Sequence, residues 1–336
     1  MSEARTLAST LPPAPERVAA DDGTPRFGLY AGSIGNGRFT GLKDVPGMLE
    51  RRLSEKKWQY VFVATPEMML SLAVIDCGYL SAGICAVFDR GSRRLLVDDN
   101  PVLPPFCAQV AEAPSEGMSA SLFGPRIRAR LQRTNGRVSV QATWGHADVD
   151  LLLEAGRAPP PVTAIAPAGA PGRFDLTQKT VLVPAEGEVR AGNVRFPVRG
   201  QLAGLDYTHG LLARETAWRW AFACGREGQR LVAFNFSDGF LQGEGENAAW
   251  IDGEPRACGP VTFSFDPEAK LGPWRIRSAD DRVDLTFQPE GFRAQNVDLK
   301  LISSRYLQPF GTFSGRLEGV NLEGLPGVAE DHAARW

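Results

Sequence analysis

The stretch RIRARLQRTNGRVSVQATW, residues 126–144, sets the β character of the chain. Ile127, Ala129 and Leu131 alternate with Arg126, Arg128 and Arg130, so one face is apolar and the other carries guanidinium groups. Asn135-Gly136 then supplies the two positive-φ residues of a type I′ turn, and Val138 and Val140 resume the alternation. The segment is an antiparallel hairpin.

Runs of β-branched and aromatic residues, punctuated by Gly, Pro, Asn and Asp, recur on both sides of it. Upstream, 58–65, 68–76, 81–89 and 93–97 make a meander. Downstream, strands are expected near 193–202, 216–224, 230–236, 248–252, 261–266, 274–277, 282–288, 296–303 and 310–317. Helical signals are few. One covers 45–56, with Asp44 as N-cap and Pro46 in the first turn, and a second covers 328–336. Many short antiparallel strands must hide their edges, which predicts a mainly β chain of two antiparallel barrel-like lobes; one large sandwich is the alternative. Five prolines within 158–172 break all periodicity. They divide the chain into a flexible tail 1–24, a first lobe 25–160, a linker 161–172 and a second lobe 173–336.

Composition narrows the function classes. With 37 Lys and Arg against 39 Asp and Glu in 336 residues, the net charge is -2, and no field exists to hold a nucleic-acid backbone. The longest apolar runs, 60–64 and 84–88, are far too short for a transmembrane segment. The polar, proline-dotted start lacks the apolar stretch of a signal peptide, which gives a cytoplasmic expectation. The five cysteines are widely spaced, and His146, His209 and His332 lack metal-ligand spacing. A phosphate-binding loop and a Gly-x-Ser-x-Gly elbow are both missing, and Gly35, Gly37 and Gly41 do not have dinucleotide-binding spacing. Neither a cofactor nor a metal is expected.

Polar and aromatic residues concentrate between Asp206 and Asp252. On a strand, Arg214, Thr216, Trp218, Trp220 and Phe222 share one face, an aromatic wall with an Arg at its end. A buried guanidinium needs a carboxylate, and Glu244, Glu246 and Asp252 are the nearest in sequence. Glu244 and Glu246 lie two apart, so on an extended segment their repulsion would raise one pKa into general-acid range. Each feature also has a plainer reading. Trp218 and Trp220 suit a β core, Gly243-Glu244-Gly245-Glu246 suits a solvated loop, and His209 beside Gly210 suits a turn. Asp331-His332 is either a catalytic pair or part of an end that packs Trp336 onto the fold.

The run Asp206-x-Thr208-His209-Gly210, Arg214-x-Thr216-x-Trp218-x-Trp220, then Asn235, Gly239, Glu246-Asn247, Trp250 and Gly253 resembles the bacterial domain of unknown function family 2804. Lys56-Lys57-Trp58-x-Tyr60 and Asp76-x-Gly78-Tyr79 extend the resemblance to residues 25–336. More distantly the chain is similar to the AttH and hydroxyneurosporene synthase group, which implies two lipocalin-like (calycin-type) barrels. That group includes carotenoid hydratases, in which an acid protonates an alkene and water captures the cation; no catalytic motif carries over residue by residue.

Three functions follow as expectations. The first is binding of an apolar or lipid-like small molecule in a barrel mouth, with Arg214 as polar anchor and Thr216, Trp218, Trp220, Asn235, Asn247 and Trp250 around it. The second is a cofactor-independent hydratase or isomerase with Glu246, Asp206 or Asp331 as acid and His209 as relay. The third is a structural or partner-binding module whose polar cluster fixes the register.

Overall fold

The computed structural model describes residues 11–243, 245–298, 300 and 302–336. The first sheet opens with β1 (Gly28–Ala31) and, after the helix α1 (Met48–Ser54), the meander β2 (Glu55–Ala64), β3 (Met68–Asp76), β4 (Ser81–Asp89) and β5 (Arg94–Asp99). Short strands β6 (Val102–Leu103) and β7 (Ala108–Val110) lead to β8 (Ser119–Gly124), β9 (Ile127–Thr134), β10 (Arg137–Trp144) and β11 (Ala147–Leu153). Then come β12 (Val162–Pro167), β13 (Phe174–Ala191) and β14 (Val194–Leu211). The second sheet takes β15 (Glu215–Glu227), β16 (Arg230–Asp238), β17 (Ala248–Ile251), β18 (Glu254–Ala257) and β19 (Val261–Ser264). It finishes with β20 (Trp274–Ser278), β21 (Val283–Asp298), β22 (Ser303–Leu317) and β23 (Val320–Arg335).

Among the described residues the first sheet has 14 strands, with the path β5-β4-β3-β2-β14-β13-β11-β10-β9-β8-β7, and the second has 9, with the path β18-β17-β16-β15-β23-β22-β21-β20-β19. Both are antiparallel and curl into half-barrels. The two arms of the first are tied across where Ala108 N donates to Ser81 Oγ at 2.8 Å and Trp144 Nε1 donates to Asp99 at 2.9 Å. Each concave face holds its own apolar core, with Val61, Leu131 and Trp144 in one and Phe234, Phe287 and Phe313 in the other.

A third core lies between the sheets. Alternate residues of β2 meet alternate residues of β15: Trp58 with Trp218 at 6.4 Å between ring centroids, Tyr60 with Trp220 at 5.6 Å, and Phe62 with Phe222 at 6.1 Å. Strand alternation thus sends one set of side chains into each half-barrel and the other set across to the opposite sheet.

The hairpin forms as expected. Arg137 pairs with Thr134, and Asn135 and Gly136 have φ of 54° and 72°. Four expectations change. The 328–336 segment is not a helix but the end of β23, where pairing with β15 and β22 overrides the helical propensity of its Ala, Glu and Arg residues. The helix expected over 45–56 is only Met48–Ser54, with Gly47 and not Asp44 at its N-cap. Within the expected flexible tail, Val18 and Ala19 are buried, and Pro13 and Arg17 bridge to Ala31 and Asn36. Residues 1–10 lie outside the described residues. The proline-rich 161–172 segment is built into the first sheet, because β12 pairs with β1 and β13, so the chain changes sheets only after Leu211. Its prolines flank a buried strand and do not dissolve it. Among the described residues no helix is long and apolar enough to cross a membrane.

Candidate functional site

The faces that meet between the sheets do not close completely. They leave a cavity of about 120 Å³, walled by Trp58, Ile75, Ile84, Trp218, Trp220 and Trp336. A second space of about 170 Å³ adjoins it and shares Ile75, Ile84, Tyr306, His332 and Trp336 with it. The cavity is therefore between half-barrels, not in the barrel mouth expected from the sequence.

Polar groups enter this apolar space at two places. The first is built on β13 and β14, where Lys179 pairs in register with Asp206. Phe174 and Leu176 turn into the first core, so Asp175, Thr177 and Lys179 turn toward the second sheet. Lys179 Nζ donates to Asp206 Oδ1 at 2.6 Å and pairs with Glu246 Oε2 at 2.9 Å. Burial pulls the Lys179 pKa down, but the two carboxylates outweigh it and hold the ammonium above its ordinary range. Burial raises Asp206, with Lys179 opposing and Glu246 adding. Asp175 is 1% exposed, neither of its oxygens has a hydrogen-bond partner among the described residues, and burial and then Glu246 push its pKa well up.

The second place is the end of β23. Glu330 accepts from Trp218 Nε1 at 2.7 Å, Tyr306 Oη at 2.9 Å and Gln308 Nε2 at 3.1 Å. Burial lifts its pKa to about 7 against the pull of the Trp218 and Tyr306 donors. His332, two residues on and on the same face, shares a 2.9 Å hydrogen bond between Nε2 and Ser304 Oγ, and burial followed by the Arg305 charge lowers its pKa to about 3. It is a neutral imidazole, edge-on to Trp218 with ring centroids 4.3 Å apart.

Of the residues expected from sequence, Asp206, Glu246, Trp218 and Trp220 line the cavity together. Asn235 and Asn247 stand behind it. Asn235 accepts from Trp220 Nε1 at 2.8 Å and donates to the Glu246 carbonyl at 3.1 Å, while Asn247 Oδ1 accepts from Ser237 N at 2.7 Å. Thr216 Oγ1 holds the indole of Trp336 at 2.8 Å.

The others lie elsewhere. His209 sits on the opposite face of β14 from Asp206, stacked on Phe39 at 4.0 Å and bonded to Glu55 at 2.7 Å, so it cannot relay protons to the cavity. Asp331 points away from Glu330 and binds Arg305 at 2.7 Å, which also parts it from His332. Arg214 is exposed and does not line the cavity wall, and its carbonyl accepts from Trp336 N at 2.8 Å. Two of the three carboxylates expected to pair with it are engaged elsewhere, Glu246 by Lys179 and Asp252 by Arg230 at 2.7 Å. Trp250 is fully buried in the inter-sheet core and donates to the Pro160 carbonyl at 2.9 Å. Glu244 lies outside the described residues. Asp175, Lys179, Tyr306 and Glu330 were not expected. Among the described residues no group of His, Cys, Asp and Glu side chains is arranged to hold a metal ion.

The fold is similar to that of an AttH-like protein from Nitrosomonas europaea, with 12% identity over 83% of this chain and 91% of that one and a TM-score of 0.50. Kievitone hydratase from Nectria haematococca aligns at 9% identity over 97% of this chain and 98% of its own, with a TM-score of 0.49. Comparison with curated protein sequences finds no match. A family model matches residues 14–336, which include every strand of both sheets, and the chain belongs to that family, the domain of unknown function 2804.

Proposed function

We propose that the inter-sheet cavity binds a compact, mainly apolar small molecule and moves a proton on it, the chemistry of a hydratase or isomerase acting on an unsaturated substrate. The observation that carries this reading is Glu330. A general acid or base works best when its pKa lies near the ambient pH, and the aromatic surroundings hold Glu330 at about 7. Three donors fix its orientation, so the proton leaves from or returns to a defined place.

The Lys179 cluster supports the same reading. Three buried carboxyl groups around one ammonium are a poor way to stabilise a β interface, where packed apolar residues of similar volume serve as well or better. Perturbed acids converging on a cavity mark a working site. In this reading Glu330 transfers the proton, and Asp206 and Glu246, steadied by Lys179, set the field across the cavity.

The test begins with protein purified from its own host. Native mass spectrometry detects the bound compound, organic extraction releases it, and it is returned to fresh protein in D₂O. Deuterium should enter the compound, and Glu330→Gln should slow that entry by about a hundredfold or more. A compound that binds yet never exchanges, at any pH from 5 to 9, would make this a carrier and overturn the catalytic reading.

A further inference from the structure

The cavity wall carries four carboxyl groups, Asp175, Asp206, Glu246 and Glu330, against a single cation, Lys179, among its described residues. Lys179 is already shared between Asp206 and Glu246. His332 is neutral, and Arg293, with its guanidinium 5.1 Å from the ring centre of Tyr306, is paired with Asp98 at 3.0 Å. An anion entering here meets carboxyl groups and no unengaged cation of the wall. Asp175 is the group left over. A buried carboxyl ordinarily finds a donor, yet both Asp175 oxygens lack one among the described residues, although the side chain is 1% exposed and forms part of the wall. The indole rings of Trp58, Trp218 and Trp220 line the same space, and aromatic faces attract cations once water is excluded.

We propose that the ligand of this cavity is a protonated amine on a compact apolar body, its ammonium group donating to Asp175 and its body lying among the indole rings. Such a ligand supplies the donors Asp175 lacks and a second positive charge to the carboxyl cluster. Its size follows from the space: an apolar cavity of roughly 150 Å³ accepts one benzene ring, so a single-ring amine suits about 120 Å³ with a further 170 Å³ adjoining. The inference deepens the function proposed above by naming the ligand class. It needs the cavity to be the ligand site and does not need any proton transfer there.

The experiment is isothermal titration of the full chain with 2-phenylethylamine, 2-phenylethanol and 3-phenylpropionate, which share a body and differ in charge. The amine should bind at least tenfold more tightly than the alcohol, and the carboxylate should not bind. Asp175→Asn should bring the amine down to the level of the alcohol while leaving the alcohol's affinity unchanged. Equal or tighter binding of the alcohol or the carboxylate overturns the proposal on the wild-type protein alone, whatever the variant does. So does an amine preference that survives Asp175→Asn, since it puts the ammonium elsewhere, and so does failure of all three to bind. An intact amine preference without deuterium exchange defeats the catalytic reading and leaves this one standing.

Discussion

Glu330 and His332 sit two residues apart on one face of β23, and burial discharges both in opposite directions. The carboxyl rises from 4.5 to about 7, so the folded chain holds more protons than the unfolded one across that window. Its contribution to stability is complete below pH 4.5 and is lost as the pH rises through 7. His332 falls from 6.5 to about 3, so its contribution is complete above pH 6.5 and is lost as the pH falls toward 3. Wild type and Glu330→Gln share every other titrating group, so the difference between them isolates the first effect. Urea titrations at pH 4 and pH 8 should show the wild type losing about 3 kcal/mol relative to the variant. Parallel curves would mean that Glu330 titrates normally and has no special claim as an acid.

At the scale of elements, the contact between sheets is set by which positions lack side chains as much as by those that have them. A Cβ at Gly204 of β14 would lie 2.2 Å from the Phe222 ring, and the φ there is not positive, so the need for glycine is one of packing alone. Gly204→Ala should cost about 1–3 kcal/mol by overpacking, and Phe222→Leu in the same chain should recover most of it; additive losses in thermal melts would show that the two sites do not touch. The alternation that makes this interface also governs what the sequence disclosed. β3 and β4 are legible to the residue because each is an unbroken run rich in apolar residues that ends at turn residues, and the β9–β10 hairpin is legible to within a residue because one face contrasts with the other. β13 escaped because its first half buries Asp175, Thr177, Gln178, Lys179 and Thr180, polar residues that in sequence look like a solvated loop. β23 escaped because VAEDHAARW has a helix former's composition. The site divides along the same line. Asp206, Glu246, Trp218 and Trp220 were visible, whereas Asp175, Lys179 and Glu330 stand on β13 and β23, which were not recognised. His209 and Asp331 were drawn in by nearness in sequence, which in a strand puts a neighbour on the wrong face.

At the scale of the molecule, neither sheet contains the site. Asp175, Lys179 and Asp206 come from one and Trp218, Tyr306 and Glu330 from the other, so the cavity exists only while the two are docked. Besides the Lys179–Glu246 pair, two further ion pairs among the described residues help to hold them: Arg90 grips Glu290 through Nε at 3.0 Å and Nη2 at 2.8 Å, and Arg293 donates to Asp98 at 3.0 Å. The larger share comes from the inter-sheet core, whose aromatic pairs draw one ring from each side. A shared core of this kind predicts that the half-barrels unfold together. Phe222→Ala should cost about 3–5 kcal/mol, and hydrogen exchange should record the same loss in peptides from both private cores, one spanning 138–144 and the other 283–287. Protection lost only in the second peptide would mean that each half-barrel is stable alone. Docking would then be an equilibrium that a ligand in the cavity shifts, and the amine titration would have to show a wild-type affinity lowered by the undocked fraction.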